Sequence, residues 1–369
     1  MNTNDYLRTC LAMVIEQKGQ DVFLKAGAQP RMRLGGQVNP MDMKSITADE
    51  LAELVEELLD TRQKDMLQRN RSVDFGFSFQ EKNCRFRANA FFQQGDISLV
   101  FRMLWMGIPS FEELQLPPIL KKIALEKSGI ILIGGSVASG KTSTVAAMLR
   151  TMNETVQKHI ITIEDPVEYL HDDHKCLIQQ REIGQDAESF PSALKSMVRQ
   201  SPDVIVIGEM RDVESFSFAL SAAEVGRLVI ATIHAQSAPQ IFERILGFFR
   251  REGERENVLN HFARNMTCMA VQKLLLNKEK NGMVPAVEIM LGNYTTRQLI
   301  IEKKMDKLPQ AIRNAHHEGM QTMDQSILEL WRAGHIDQET AINASSSPED
   351  VQASMKGFRI GQDTKILGA

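Results

Sequence analysis

The stretch from Gly129 to Thr144, GIILIGGSVASGKTST, constrains this chain more than any other. It contains Gly135-x-x-x-x-Gly140-Lys141-Thr142, a complete phosphate-binding loop pattern. The apolar run Ile130 to Ile133 precedes it. Val145, Met148 and Leu149 follow at helical spacing, so the loop joins a strand to a helix. The backbone amides of Gly135, Ser136, Val137, Ala138, Ser139 and Gly140 then form a concave anion site. The open amides of the first helical turn, Lys141, Thr142 and Ser143, complete it. Glycine lets the backbone approach phosphate oxygens. Lys141 is placed for the β and γ phosphates of a nucleotide, and the Thr142 hydroxyl for Mg²⁺.

A loop of this kind binds; hydrolysis needs acids brought to the same place. The strand Val204–Ile207 runs into Gly208-Glu-Met-Arg-Asp212, which sets Glu209 at the carboxyl end of a central strand, within reach of the metal or its water shell. The strand His159–Ile163 ends in Glu164-Asp-Pro-Val-Glu168 and delivers Glu164 as a second carboxylate. A third strand, Leu228–Ile233, ends at His234, a candidate γ-phosphate sensor. One acid at a strand end is ordinary surface chemistry. Three such ends behind a valid phosphate loop point to one shared site.

The rest of the chain supports an α/β class with two domains, as 369 residues would suggest. Residues 1–105 read as a small α/β domain. Tyr6, Leu7, Cys10, Leu11, Val14 and Ile15 recur at helical spacing before Gly19, and Thr47-Ala-Asp-Glu50 is a capping box. Phe75–Phe79, Arg85–Phe92 and Ile97–Leu104 alternate as an antiparallel meander, with Arg85 and Arg87 on the face opposite Phe86. Residues 106–118, with Gly107, Pro109, Pro117 and Pro118, read as a linker. In residues 119–345 strands alternate with helices at 189–200 and 213–224, which implies a largely parallel sheet. Beyond Pro239 the pattern is mainly helical, with one apolar run at Val284–Met290. Residues 346–369 read as a mobile tail.

Bulk properties exclude several classes. A net charge of −4 gives no reason to expect nucleic acid as a main partner. Cys10, Cys84, Cys176 and Cys268 lie far apart with no C-x-x-C pair, as expected of buried thiols in a reducing cytosol. There is neither a membrane-length apolar run nor a signal-peptide pattern, so a cytoplasmic protein is expected. His171-Asp-Asp-His174 and His316-His317 read as solvated loop residues rather than metal ligands.

The motifs carry a family resemblance. Ile161-Thr-Ile-Glu-Asp-Pro-Val-Glu168 resembles the Asp box of the secretion-ATPase superfamily, Gly208-Glu-Met-Arg-Asp212 its Walker B, and Thr232-Ile-His-Ala235 its His box. Gln180-Arg-Glu182, Pro202-Asp-Val-Ile205 and Ser221-Ala-Ala-Glu224 match its intervening sequence. Within it the chain is most similar to the PilT/PilU type IV pilus retraction ATPases, through Arg85-Phe-Arg-Ala-Asn-Ala90 and Gly319-Met-Gln-Thr-Met-Asp324. Thr296-Arg-Gln-Leu-Ile-Ile-Glu302 looks like a diverged retraction motif. The resemblance covers about residues 5 to 345. It implies a homohexameric ring of subunits with a PAS-like N-terminal domain and a RecA-like ATPase domain, ATP and Mg²⁺ as ligands, and an inner-membrane pilus platform protein as partner. A paralogous retraction ATPase is a further implied partner. It also implies that nucleotide lies between the domains and that first-domain arginines reach its phosphates. Arg87 and Arg102 are the leading matches, and Arg85 is a third.

Three departures from the family pattern bear on turnover. Val137 and Ala138 stand where the family has threonine and glycine. Ala138 restricts the loop if that position needs positive φ, at about 1 kcal/mol. Gly226-Arg227 stands where the family has Gly-His; arginine cannot accept a hydrogen bond, although it could contact a phosphate. The alternatives are an accessory nucleotide-binding ring of low turnover, or a pilus-assembly or type II secretion ATPase. The last two usually have a longer N-terminal region and often a four-cysteine metal insert, and the sequence leads us to expect neither here.

Overall fold

The computed structural model describes residues 2–79, 84–104 and 107–356. The chain divides into two compact units, residues 1–108 with 165–170, and residues 109–164 with 171–369.

The first unit runs α1 (Thr3–Glu16), β1 (Asp21–Lys25), β2 (Arg31–Leu34), β3 (Gln37–Pro40), α2 (Ala48–Leu58), α3 (Thr61–Asn70), β4 (Ser72–Phe79), β5 (Cys84–Gln93) and β6 (Asp96–Met103). Thr47 caps α2 through the capping box anticipated above, its hydroxyl accepting from the Glu50 amide and the Glu50 carboxylate accepting from the Thr47 amide. The strands form one antiparallel sheet in the order β3-β2-β1-β6-β5-β4. Alternation sends Phe86, Ala88, Ala90 and Phe101 inward, where they pack with Leu7, Leu11, Leu51 and Leu54 from the helices. The Phe101 ring meets Phe75, Phe77 and Phe86 edge to face. Each fully buried ring contributes roughly 1.5–3 kcal/mol. The opposite face of the same strands therefore carries the polar residues.

The second unit runs α4 (Pro118–Ala124), β7 (Gly129–Gly135), α5 (Lys141–Thr155), β8 (His159–Glu164), β9 (Leu177–Glu182), α6 (Phe190–Met197), β10 (Val204–Ile207), α7 (Val213–Glu224), β11 (Leu228–Ile233), α8 (Ala238–Phe248), α9 (Glu252–Asn265), β12 (Met266–Leu276), β13 (Met283–Leu291), α10 (Tyr294–Ile301), α11 (Leu308–Asn314), α12 (Met323–Arg332), α13 (Gln338–Ala344) and α14 (Pro348–Met355). Its sheet has the order β13-β12-β7-β11-β10-β8-β9, parallel throughout except for the β12–β13 pair. Helices cover both faces, so β7 reads as an unbroken apolar run. Ile130 and Leu132 pack toward Phe216, Phe242 and Phe262. Ile131 and Ile133 pack toward Leu120, Met148, Leu149 and Met152.

Some sequence expectations are corrected here. Phe111 and Leu116, read as linker, are buried in the second core. Residues 346–355, read as tail, contain α14, whose Val351 is buried; residues 357–369 lie outside the described residues. The region beyond Pro239 is mainly helical with a strand at Met283–Leu291, as expected, but it adds a second strand, β12, which lies beside β7. His171 is not a solvated residue: its Nδ1 is enclosed without a partner, and burial pushes the imidazole down to about 4.

Candidate nucleotide site

Parallel pairing fixes where the functional side chains emerge. Gly134 is in register with Ile233, Ile207 with Ala231, and Ile207 with Ile163. The carboxyl ends of β7, β11, β10 and β8 therefore share one edge. It presents Gly135, His234, Glu209 and Glu164 in that order, the edge at which open α/β sheets bind ligands.

The loop itself is a cradle without side chains at its tightest points. Gly135 has φ of 153°, and a Cβ there would meet the Ser139 hydroxyl at 2.2 Å and the Gln272 carbonyl at 2.8 Å. Gly140, at φ 87°, stands at the N-terminus of α5 and offers no side-chain cap. The first-turn amides of α5, among them those of Lys141, Thr142 and Ser143, thus have no side-chain acceptor from that position. Ser136, Val137 and Ala138 form the exposed rim, with Val137 80% exposed. Ser139 is buried and its hydroxyl has no partner. Lys141 is buried, its ammonium donating to the carbonyls of Gly135 (3.1 Å) and Ser136 (2.7 Å). A cation held by loop carbonyls beneath a ring of amides fits a polyphosphate anion. Ala138 adopts φ 60°, so the position does require the left-handed conformation, and its Cβ strains the loop by about 1–2 kcal/mol.

Glu209 lies among cations. Its carboxylate pairs with Arg211 at 2.5 Å and with His234 at 3.2 Å. Burial works against its charge. The hydrogen bond and charge of Arg211, then His234 and Lys141, outweigh burial and hold the carboxyl below the usual glutamate range. An ionised carboxylate and a hydroxyl, Glu209 and Thr142 in the first turn of α5, are hard oxygen donors of the kind that suits Mg²⁺. Glu164 has different company: its Oε1 accepts from the Thr162 hydroxyl (2.6 Å) and the Gln180 amide (3.1 Å). Gly208 keeps the two strand ends close, since a Cβ there would stand 2.9 Å from the Ile163 carbonyl.

Arg87 and Arg102 belong to the first unit, where they are directly opposite one another on β5 and β6. Asp21 is in register with both Arg102 and Arg33. This buried carboxylate accepts from Arg102 at 2.9 Å and from Arg33 at 2.8 Å. Cross-strand partners share a face, so the sheet carries a row of three arginines, two of them held by one aspartate. Arg33 and Asp21 were not singled out by the sequence; Asp21 opens β1 and Arg33 lies opposite it on β2.

The second unit holds two further residues to which sequence reasoning gave no role in the site, Gln180 having been quoted only within a family motif. Gln272, on β12, accepts from the Thr144 hydroxyl at 2.8 Å and backs the loop. Gln180, on β9, reaches Glu164. Arg227, by contrast, leaves the site. It precedes β11 and pairs with Asp203 at 3.8 Å, about 20 Å of strand away from His234. Its substitution therefore does not touch the phosphate loop of its own unit.

The family described as type II/IV secretion system protein matches residues 3–342. This chain belongs to that family. Among curated relatives, the type IV pilus ATPase PilU of Pseudomonas aeruginosa is 35% identical over 94% of this chain and 90% of that protein. The retraction ATPase PilT of the same organism is also 35% identical, over 92% of this chain and 98% of that one. A crystal structure of the pilus retraction motor PilT with bound ADP superposes with a TM-score of 0.86, at 35% identity over 94% of this chain and 98% of that chain. Membership agrees with the α/β fold: an N-terminal domain and an ATPase-type domain. Among the described residues no helix is long and apolar enough to cross a membrane.

Proposed function

We propose that this chain is an ATP-hydrolysing motor subunit that powers type IV pilus retraction. The observation that carries the reading is the convergence of Lys141, Glu209 with His234, and Glu164 on one sheet edge beside an uncapped helix N-terminus. Lys141 grips the β and γ phosphates. Thr142 would hold Mg²⁺, and Glu209 would hold its water shell. Bound Mg²⁺ offsets phosphate charge. Glu164 orients the attacking water and takes its proton. Arg87 and Arg102 of the first domain offset the charge that spreads over the γ-phosphoryl oxygens. The resemblance to PilT and PilU supports a homohexamer that works in the cytoplasm against an inner-membrane pilus platform protein, with a paralogous ATPase as co-motor.

In a strain deleted for this chain, pili are expected to accumulate and fail to retract. Wild type restores retraction and Lys141→Ala does not. Loss of pili on deletion would favour an assembly motor. A second reading, an accessory ring of low turnover, is favoured by the strained Ala138 and by equal identity to PilU and PilT. Robust Mg²⁺-dependent turnover by the purified chain alone rejects it.

A further inference from the structure

We propose that Gln180 is a positioning residue for Glu164; this rests on the role given to Glu164 above. Gln180 and Thr162 are register partners on β9 and β8. Their side chains share a face, and both donate to the same oxygen, Glu164 Oε1. The other end of the Gln180 amide accepts from the His171 backbone N–H at 2.9 Å. Its orientation is thereby fixed: a carboxylate requires the NH₂ end and an N–H requires the carbonyl end.

Glu164 and His171 are also the residues at which the chain leaves and re-enters the second unit around 165–170. One side chain therefore holds both ends of that excursion. A glutamate at a strand end has several rotamers, and productive geometry requires one of them. Two neutral donors on one oxygen, the Thr162 hydroxyl and the Gln180 amide, narrow that choice. In the step served, the water oxygen bonds to the γ-phosphorus as the bond to the β–γ bridging oxygen breaks. The water proton passes to Glu164, and the bridging oxygen departs on ADP with its electron pair.

Two near-isosteric variants separate positioning from simple anchoring. Gln180→Met removes both contacts. Gln180→Glu keeps an acceptor for the His171 amide but sets a second carboxylate against Glu164. Positioning predicts that kcat falls about 10-fold in Gln180→Met and about 100-fold in Gln180→Glu. KM for ATP and Kd for ADP stay within about twofold. An anchoring role predicts the reverse order, with Gln180→Glu close to wild type, and that result overturns the proposal. So does wild-type kcat in both variants. If the wild-type chain binds ADP but does not turn over ATP, the proposed function fails. The crystal structure of Gln180→Met with ADP then decides this inference: a Glu164 carboxylate turned away from its wild-type position supports it, and an unmoved one overturns it.

Discussion

Glu164 and Glu209 stand at the ends of neighbouring parallel strands, β8 and β10, and are held by opposite means. Glu209 is held by charge, from Arg211, His234 and Lys141. Glu164 accepts from two neutral donors, Thr162 and Gln180. Cations stabilise a carboxylate's negative charge and so weaken it as a proton acceptor; neutral donors orient it with less of that effect. The contrast suits a division of labour in which Glu209 stays ionised in the metal's water shell and Glu164 receives a proton. Two acids at one edge are distinguished by their neighbours, since their strand positions are nearly equivalent.

The contrast is framed by the phosphate loop, and removing its cation should have the largest effect. Lys141→Ala is expected to lower ATP turnover at least about 1000-fold, measured by steady-state phosphate release. Glu164→Gln should follow, with kcat down about 100-fold or more and ADP affinity retained in calorimetry. Glu209→Gln should act through the metal instead, raising the Mg²⁺ concentration for half-maximal turnover about 10- to 100-fold. An unchanged Mg²⁺ requirement would erase the distinction between the two acids.

Acidity probes the same distinction. A carboxyl lowered in the folded state adds stability above its unfolded titration and loses it as pH falls through the folded value. Arg211→Ala removes the foremost stabiliser of the Glu209 charge. The variant should therefore be less stable than wild type above about pH 6, and the difference should shrink in melts as pH falls toward about 3, because the Glu209 share of the acid loss is gone. Coincident acid limbs would show that Arg211 does not set the Glu209 charge. The smallest effect is expected at the rim of the loop. Ala138→Gly relieves the left-handed strain and should stabilise by up to about 1 kcal/mol in denaturant unfolding, with turnover equal or higher.

Much of this site was legible because its parts are local. The loop, the acids and His234 each end an apolar run, and the parallel sheet that aligns them follows from strand–helix alternation. The conditional reading of Ala138 was legible too, since a customary glycine marks positive φ. The supporting residues were not. β12, Met266–Leu276, is rich in Met, Leu, Ala, Gln and Lys, which favour helix, and it follows α9 without a turn signal. Pairing with β7 and β13 overrides that preference and brings Gln272 under the loop. β9, Leu177–Glu182, is an edge strand with polar residues, so the motif that contains Gln180 gave that residue no role of its own. Its role appears only through register with Thr162. The α14 helix was hidden for a similar reason: it is short, and one buried Val351 gives it little periodicity. Arg227 shows the converse. Its position in a motif suggested the site, while strand direction puts it at the opposite edge.

Steady-state ATP hydrolysis by the purified wild-type chain and Glu164→Gln, with and without Mg²⁺, tests the central claim most directly. Mg²⁺-dependent turnover in wild type, lost in Glu164→Gln while ADP still binds both, is the expected result. Equal rates in the two proteins, or no turnover in wild type, would contradict it.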